Sequence, residues 1–396
     1  MNRHAVGLYL AVVQFFFALC WTVYVIFLPQ LAAQVGISRS AVIYVLMLDQ
    51  LIFVLTDYAM GVASDRVVHV VGRLGRAVLG LTMLSCAAFL ALPFVAPAGS
   101  APVFLGIVVL WSITSSALRA PPLTLIGRHA AKPRQPWLVA LSMLGLGLAS
   151  ALAPYLTVAL RDVDPRGPFV LSSLALGLAT WGILAAERAL AARPVVPTRD
   201  ASRPMAVAVV VQRPAATGFL IAAVLAAAAF QLHTFVNSTP LYLRLAAPSQ
   251  LQWLAPLFWV GFNLTLLPAS WVARSFGAWQ VMAVAVVVAG LASLLAQQAV
   301  SLPMLVTAQG VAGGAWACVL MGAFSAALAL GHTGREGLFS GALSSVLAVA
   351  ALGRMGVLAM AWQKEPGAQA ALAWAPVLGG LLAGAILLGL SRRRLV

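Results

Sequence analysis

About a dozen apolar stretches of about 20 residues each run through this 396-residue chain, separated by short polar breaks. A bilayer's hydrocarbon core takes about 20 apolar residues per spanning helix. In lipid, only a helix satisfies its own backbone groups along such a run. The apolarity is continuous rather than alternating, and no repeated ten-residue dyad marks the strands of a barrel. With 62% hydrophobic and 8% charged residues, a water-soluble fold is excluded. The sequence therefore predicts an all-α polytopic membrane protein, with spans at 8–35, 40–63, 77–97, 102–123, 137–160, 168–190, 215–240, 251–273, 278–300, 303–330, 337–362 and 370–391.

Lys and Arg in short loops set orientation. With the amino terminus inside, the inner side holds Arg3, Arg66, Arg73, Arg76, Arg128, Lys132, Arg134, Arg188, Arg193, Arg199, Arg203, Arg213, Arg274, Arg335, Arg392, Arg393 and Arg394, which is 17 of the 24 cations. The outer side holds five: Arg39, Arg161, Arg166, Arg244 and Lys364. This asymmetry predicts both termini in the cytoplasm and an even number of spans. The net charge of +15 is scattered over separate loops with no aromatic-interleaved basic stripe. It points to anionic inner-leaflet lipid rather than nucleic acid. Cys20, Cys86 and Cys318 fall inside spans, so neither a metal knuckle nor a disulfide framework is expected. The first span is too long for a secretory h-region and is read as retained. Abundant alanine and an excess of arginine over lysine suit a GC-rich bacterial gene, hence a bacterial inner membrane.

The longest polar interruption, 191–214, divides six spans from six. Residues 1–190 form one expected bundle and 215–396 the other, joined by a cytoplasmic linker. The apolar patch Met205–Val211 inside it is too short to cross a membrane. The halves repeat weakly. Span one ends Phe27-Leu28-Pro29-Gln30-Leu31, and span seven ends Ser238-Thr239-Pro240-Leu241. Asp65 stands 36 positions after Pro29, and Arg274 stands 34 after Pro240. Spans three, six, nine and twelve carry no charge, histidine or amide in their interiors, so every third helix is expected on the lipid side.

Ionised side chains at helix centres cost about 2.5–3.5 kcal/mol on insertion scales, so those present mark function by default. They are Asp49 and Asp57 on span two, Arg119 on span four and Arg354 on span eleven. At about 1.5 Å per residue, Asp57 and Arg119 both lie about 25 Å below the outer surface, matched for an ion pair. Asp49 and Arg354 both lie about 13 Å below it. His233 on span seven is a second possible proton site. Trp137, Trp279 and Trp362 lie near span ends as expected headgroup anchors.

The loop Gly61-Val62-Ala63-Ser64-Asp65-Arg66 after span two resembles the G-x-L-a-D-R signature of the major facilitator superfamily, the twelve-span secondary transporters. Gly61, Asp65 and Arg66 match it, Val68 stands where a glycine is expected, and Gly72-Arg73 follow later. The second-half loop keeps Gly277 but has Arg274 at the acidic position. Arg119-Ala120-Pro121-Pro122-Leu123 departs from the R-x-x-x-G exporter pattern. Gly145, Gly147, Ala149, Ala153 and Pro154 give only a small-residue version of the antiporter motif on span five.

The resemblance implies two pseudo-symmetric six-helix bundles alternating access around a midplane site. It gives Asp65 the role of closing the inner gate. It also places span two against span eleven, so that Asp49 and Arg354 are expected to pair when the outer gate is shut. It lines the cavity with spans one, four, seven and ten, whose candidates are Trp21, Tyr24, Trp111, Ser115, Gln231, His233, Asn237, Gln309 and Trp316, with Asn263 on span eight. Aromatic surface and neutral hydrogen-bonding groups suit a small amphipathic organic molecule. The expected function is proton-coupled efflux by a monomer that needs a proton gradient and no cofactor. Alternatives are proton-coupled uptake of a metabolite or siderophore-like nutrient, and a lipid-handling protein on the same fold. No cluster of metal ligands or nucleophile with base suggests an enzyme.

Overall fold

A computed structural model describes residues 3–67, 72–130, 132–192, 214–331 and 334–392. The expected linker lies, but for its ends, outside the described residues, and Met205–Val211 lies wholly outside them. Among the described residues, twelve helices are long and apolar enough to cross a membrane. They are α1 (His4–Gln34), α2 (Arg39–Val67), α3 (Arg73–Ala98), α4 (Ala101–His129), α5 (Lys132–Ala159), α6 (Arg166–Ala191), α7 (Ala215–Leu243), α8 (Pro248–Phe276), α9 (Ala278–Gln297), α10 (Leu302–Gly331), α11 (Glu336–Ala359) and α12 (Pro366–Ser391). Several run longer than the apolar reading, because α4 continues past its internal prolines to His129 and α10 reaches Gly331.

Local chemistry sets the joints. Proline stands in the first turn of α4, α5 and α8, where its missing N–H would be unpaired in any case. A single residue, Gly277, joins α8 to α9 with φ of 87° and ψ of 142°, a backbone conformation that an L side chain resists.

The helix pairings repeat after a shift of six. In the first half α1 packs on α5 and α6, and α3 on α4 and α6. In the second half α7 packs on α11 and α12, and α9 on α10 and α12. Two seams join the halves, α2 against α11 and α5 against α8. Lipid tails supply no hydrophobic force between helices, so close approach at small residues has to hold such seams.

Exposed apolar stripes run along the outer helices. On α6, Leu171, Leu174, Leu178 and Trp181 are exposed on one face; on α9, Val284, Val288, Leu291 and Leu295 are. Exposure is not confined to every third helix, however. Leu48, Leu51 and Leu55 on α2 and Leu264 and Trp271 on α8 are also exposed, because a helix at the edge of a seam has one face left over. Trp279 departs from its expected role as an anchor. It is buried, and its Nε1–H donates to the Leu387 carbonyl of α12 at 3.1 Å.

Candidate functional site

The face carrying both chain ends is latched between the halves. Asp65, near the end of α2, accepts the Gly337 N–H on Oδ1 at 2.7 Å and the Leu338 N–H on Oδ2 at 2.8 Å. These amides belong to the first turn of α11, where backbone donors have no partner in the helix and a negative charge is favoured. The helices meet backbone to backbone beside the latch. A Cβ on Gly61 would run into the Gly337 carbonyl, and one on Gly341 would strike the Asp57 carbonyl. One turn further, Ser345 Oγ donates to the Val54 carbonyl at 2.7 Å. Arg66, grouped with Asp65 by sequence, is exposed instead.

Deeper in the first half, α4 breaks. Its α-helix stops at Ser115, a 3-10 turn covers Ser116–Leu118, and Pro121-Pro122 restart the helix without donors for the preceding turn. The break turns Arg119 toward α2. Its Nε lies 3.0 Å from Oδ2 of the fully buried Asp57, and its guanidinium sits 4.5 Å above the Phe53 ring. Thr56 and Ser116 hydroxyls, 2.6 Å apart, tie the break to α2.

Two turns outward, Asp49 is fully buried with hydroxyl partners only. Tyr24 Oη donates to Oδ2 at 2.9 Å and Ser112 Oγ to Oδ1 at 2.6 Å. Tyr24 is itself buried against Trp111, their ring centroids 4.5 Å apart, and Trp21 stacks on Trp111 at 5.8 Å. Tyr24 thus positions the carboxylate instead of lining open space. Ser115, another cavity candidate, spends its hydroxyl on the Ser112 carbonyl.

The Asp49–Arg354 contact, expected with the outer gate shut, is not formed in this structure, where the Asp65 latch is engaged. The Gly61–Gly337 and Val54–Ser345 contacts fix the register, which sets Asp49 opposite Val349 and Ala350, about 7 Å along the axis from Arg354. Both oxygens of Asp49 are also engaged within the first half. Arg354 lies 4.8 Å over the Phe235 ring, with its Nε buried and without a hydrogen-bond partner. No carboxylate is within 4 Å of it among the described residues.

In the second half, α7 carries a π-helical turn at His233–Asn237. Such turns are frequent at functional sites. His233 is buried, its Nε2 3.1 Å from Gln309 Oε1 on α10. His233 Nδ1, Gln309 Nε2, Gln231 Oε1 and Thr234 Oγ1 are buried without protein partners. Buried polar atoms are nearly always satisfied, so the His233–Gln309 pair holds two polar atoms that call for a further partner. Trp316 stacks on Phe230 beside it, rings 4.1 Å apart and 2° from parallel.

Two candidates leave this group. Asn237 Nδ2 donates to the Leu372 carbonyl of α12 at 2.9 Å, a tie between helices. Asn263 bonds its own helix at Trp259, and its Oδ1 sits at the α5–α8 seam, where a Cβ on Gly147 would meet it. Gly145 serves packing within the first half, pressed against the Ala11 carbonyl of α1.

Sequence reading missed Ser112, Phe53 and Phe235, because partners of a charge are set by tertiary contact. The stripe Gly337, Gly341, Ser345 was visible at four-residue spacing and signals close helix approach. Glu187 was also missed. It is fully buried at the end of α6 and accepts the Gly75 N–H of α3 at 2.9 Å.

The fold resembles solved transporters across nearly its whole length. Against the human organic anion transporter MFSD10 (TETRAN) the TM-score is 0.74 at 16% identity, covering 98% of this chain and 100% of that one. A bacterial homologue of the iron transporter ferroportin in an outward-facing state gives 0.75 at 14% identity, covering 98% and 100%. The E. coli fucose:proton symporter gives 0.68 at 12% identity, covering 100% and 99%. At these identities the likeness concerns the fold alone. No curated protein sequence matches the chain significantly. A sequence profile of the Major Facilitator Superfamily matches residues 10–353, so the chain is a multi-pass membrane protein that belongs to that transporter superfamily.

Proposed function

We propose that this chain is a proton-coupled secondary transporter that exports a small amphipathic organic molecule from the cytoplasm across a bacterial inner membrane. One observation carries the coupling. Of the two fully buried carboxylates on α2, Asp57 faces a guanidinium and Asp49 faces only hydroxyls. A carboxylate with hydroxyl partners exchanges its proton without stranding a cation, whereas neutralising Asp57 leaves the partly buried Arg119 uncompensated. Asp49 is therefore the proton carrier, the Asp57–Arg119 pair orders α2 against the broken α4, and Asp65 is the latch of the inner gate.

Substrate binding falls to aromatic and amide groups within each half: Trp21, Trp111, Gln231, His233, Gln309 and Trp316. Stacked indoles offer flat apolar surface, and the unsatisfied amides fix orientation. Arg354, with no acidic partner among the described residues, favours molecules that carry a negatively charged group. Alternating access follows if protonation of Asp49 and substrate binding favour opposite states of the latch.

Purified protein in proteoliposomes with a pH indicator inside tests this reading against a panel of amphipathic drugs and metabolites. Export predicts that an active substrate moves protons opposite to its own flux. Co-directional movement would establish uptake instead. Absence of any coupled proton movement across the panel would remove the proton.

A further inference from the structure

The halves differ where their repeats correspond. Asp65 ends α2 and latches α11, whereas the matching turn of α8 carries Arg274. Beside Arg274 lies a cavity of about 370 Å³ walled by His4, Arg134, Trp137, Leu138 and Trp271. The first four belong to α1 and α5, and Trp271 and Arg274 to α8, so the walls come from both halves.

The cavity is of one charge sign. Arg134 and Arg274 are exposed, and no carboxylate lies within 4 Å of either among the described residues. His4 adds a donor. Its Nδ1 accepts the Trp137 Nε1–H at 3.0 Å, so the ring's own proton stands on Nε2. The indole of Trp137 meets that ring edge-on at 5.9 Å, and Trp271 is 64% exposed. Cations beside indoles at a span end suit a ligand that is anionic at one end and apolar at the other.

We propose that this cavity binds the phosphodiester of an anionic phospholipid. The headgroup bridges Arg134 and Arg274 across the α5–α8 seam while the acyl chains leave along Trp271. Free phosphate shares the charge but makes no use of the indole and leucine walls. A lipid that touches both halves binds best when they stand as they do here, and so favours this state.

Native mass spectrometry of the detergent-solubilised full chain tests the site with phosphatidylglycerol, phosphatidylcholine and inorganic phosphate as probes. Phosphatidylglycerol is expected to bind at least about tenfold more tightly than phosphatidylcholine. Arg134→Gln and Arg274→Gln should each weaken it about fivefold. Arg134→Lys with Arg274→Lys should retain most of the binding, which separates charge from misfolding. Arg76→Gln, an exposed cation outside the cavity, should change it less than about twofold. Wild-type affinity in the double glutamine variant, or equal weakening by Arg76→Gln, overturns the site. Displacement of the lipid by equimolar inorganic phosphate overturns the lipid and leaves a plain anion site.

Discussion

The two seams between the halves are built differently. At α2–α11 glycines bring backbones into contact and Asp65 binds two amides of the facing helix. At α5–α8, Gly147 meets side chains of Phe262 and Asn263, Tyr155 meets Trp253 edge-on at 5.2 Å, and an arginine-lined cavity opens at the chain-end face. Backbone contacts and a carboxylate latch have two discrete arrangements, together or apart. Side-chain contacts yield gradually. The first seam has the construction of a switch and the second that of a pivot. The difference teaches that pseudo-symmetry of helix pairing does not extend to the chemistry at the seams.

The comparison breaks first at Gly61. Gly61→Ala sets a Cβ against the Gly337 carbonyl, which cannot rotate away, and should disfavour the latched state by about 3 kcal/mol, the upper end of overpacking costs. Spin labels at positions 76 and 280 should then report a population shifted to longer distances; an unchanged distribution would remove the switch. Asp65→Asn keeps the shape but leaves one acceptor oxygen for two amides, so one hydrogen bond is lost and the other loses its charge, about 2 kcal/mol. The same distances should shift less, and Asp65→Glu should restore them in part. Tyr24→Phe removes one donor to Asp49 at about 1 kcal/mol and should alter the pH dependence of flux without moving the distances. Gly147→Ala meets side chains of Phe262 and Asn263, which can shift where a carbonyl cannot, and should cost about 1 kcal/mol, read as a smaller loss of flux than Gly61→Ala gives. An effect as large as that of Gly61→Ala would show the seams to be equivalent.

Much of the fold was legible because membrane burial leaves few choices. Runs of apolar residues gave twelve helices, and matched depths brought Asp57 to Arg119. The Asp65 loop was legible as a motif, and the structure adds its partners, the amides of Gly337 and Leu338. The Asp49–Arg354 pairing was expected with the outer gate shut; with the Asp65 latch engaged, the register set by touching glycines leaves Arg354 about a turn from Asp49. Tyr24 and Ser115 read as cavity walls, since a polar group inside a span has the same sequence signature whether it meets substrate or a neighbouring helix. Trp279 illustrates the same ambiguity at a span end. An indole there reads as an anchor, and only tertiary contact shows it bonded to α12.

Gradient-driven flux of Asp49→Asn in proteoliposomes tests the central claim most directly. Loss of pH-driven accumulation is expected while substrate exchange without a gradient persists, because the amide keeps hydroxyl contacts but has no group that ionises. Accumulation at the wild-type rate would contradict it and leave the buried carboxylate a packing group.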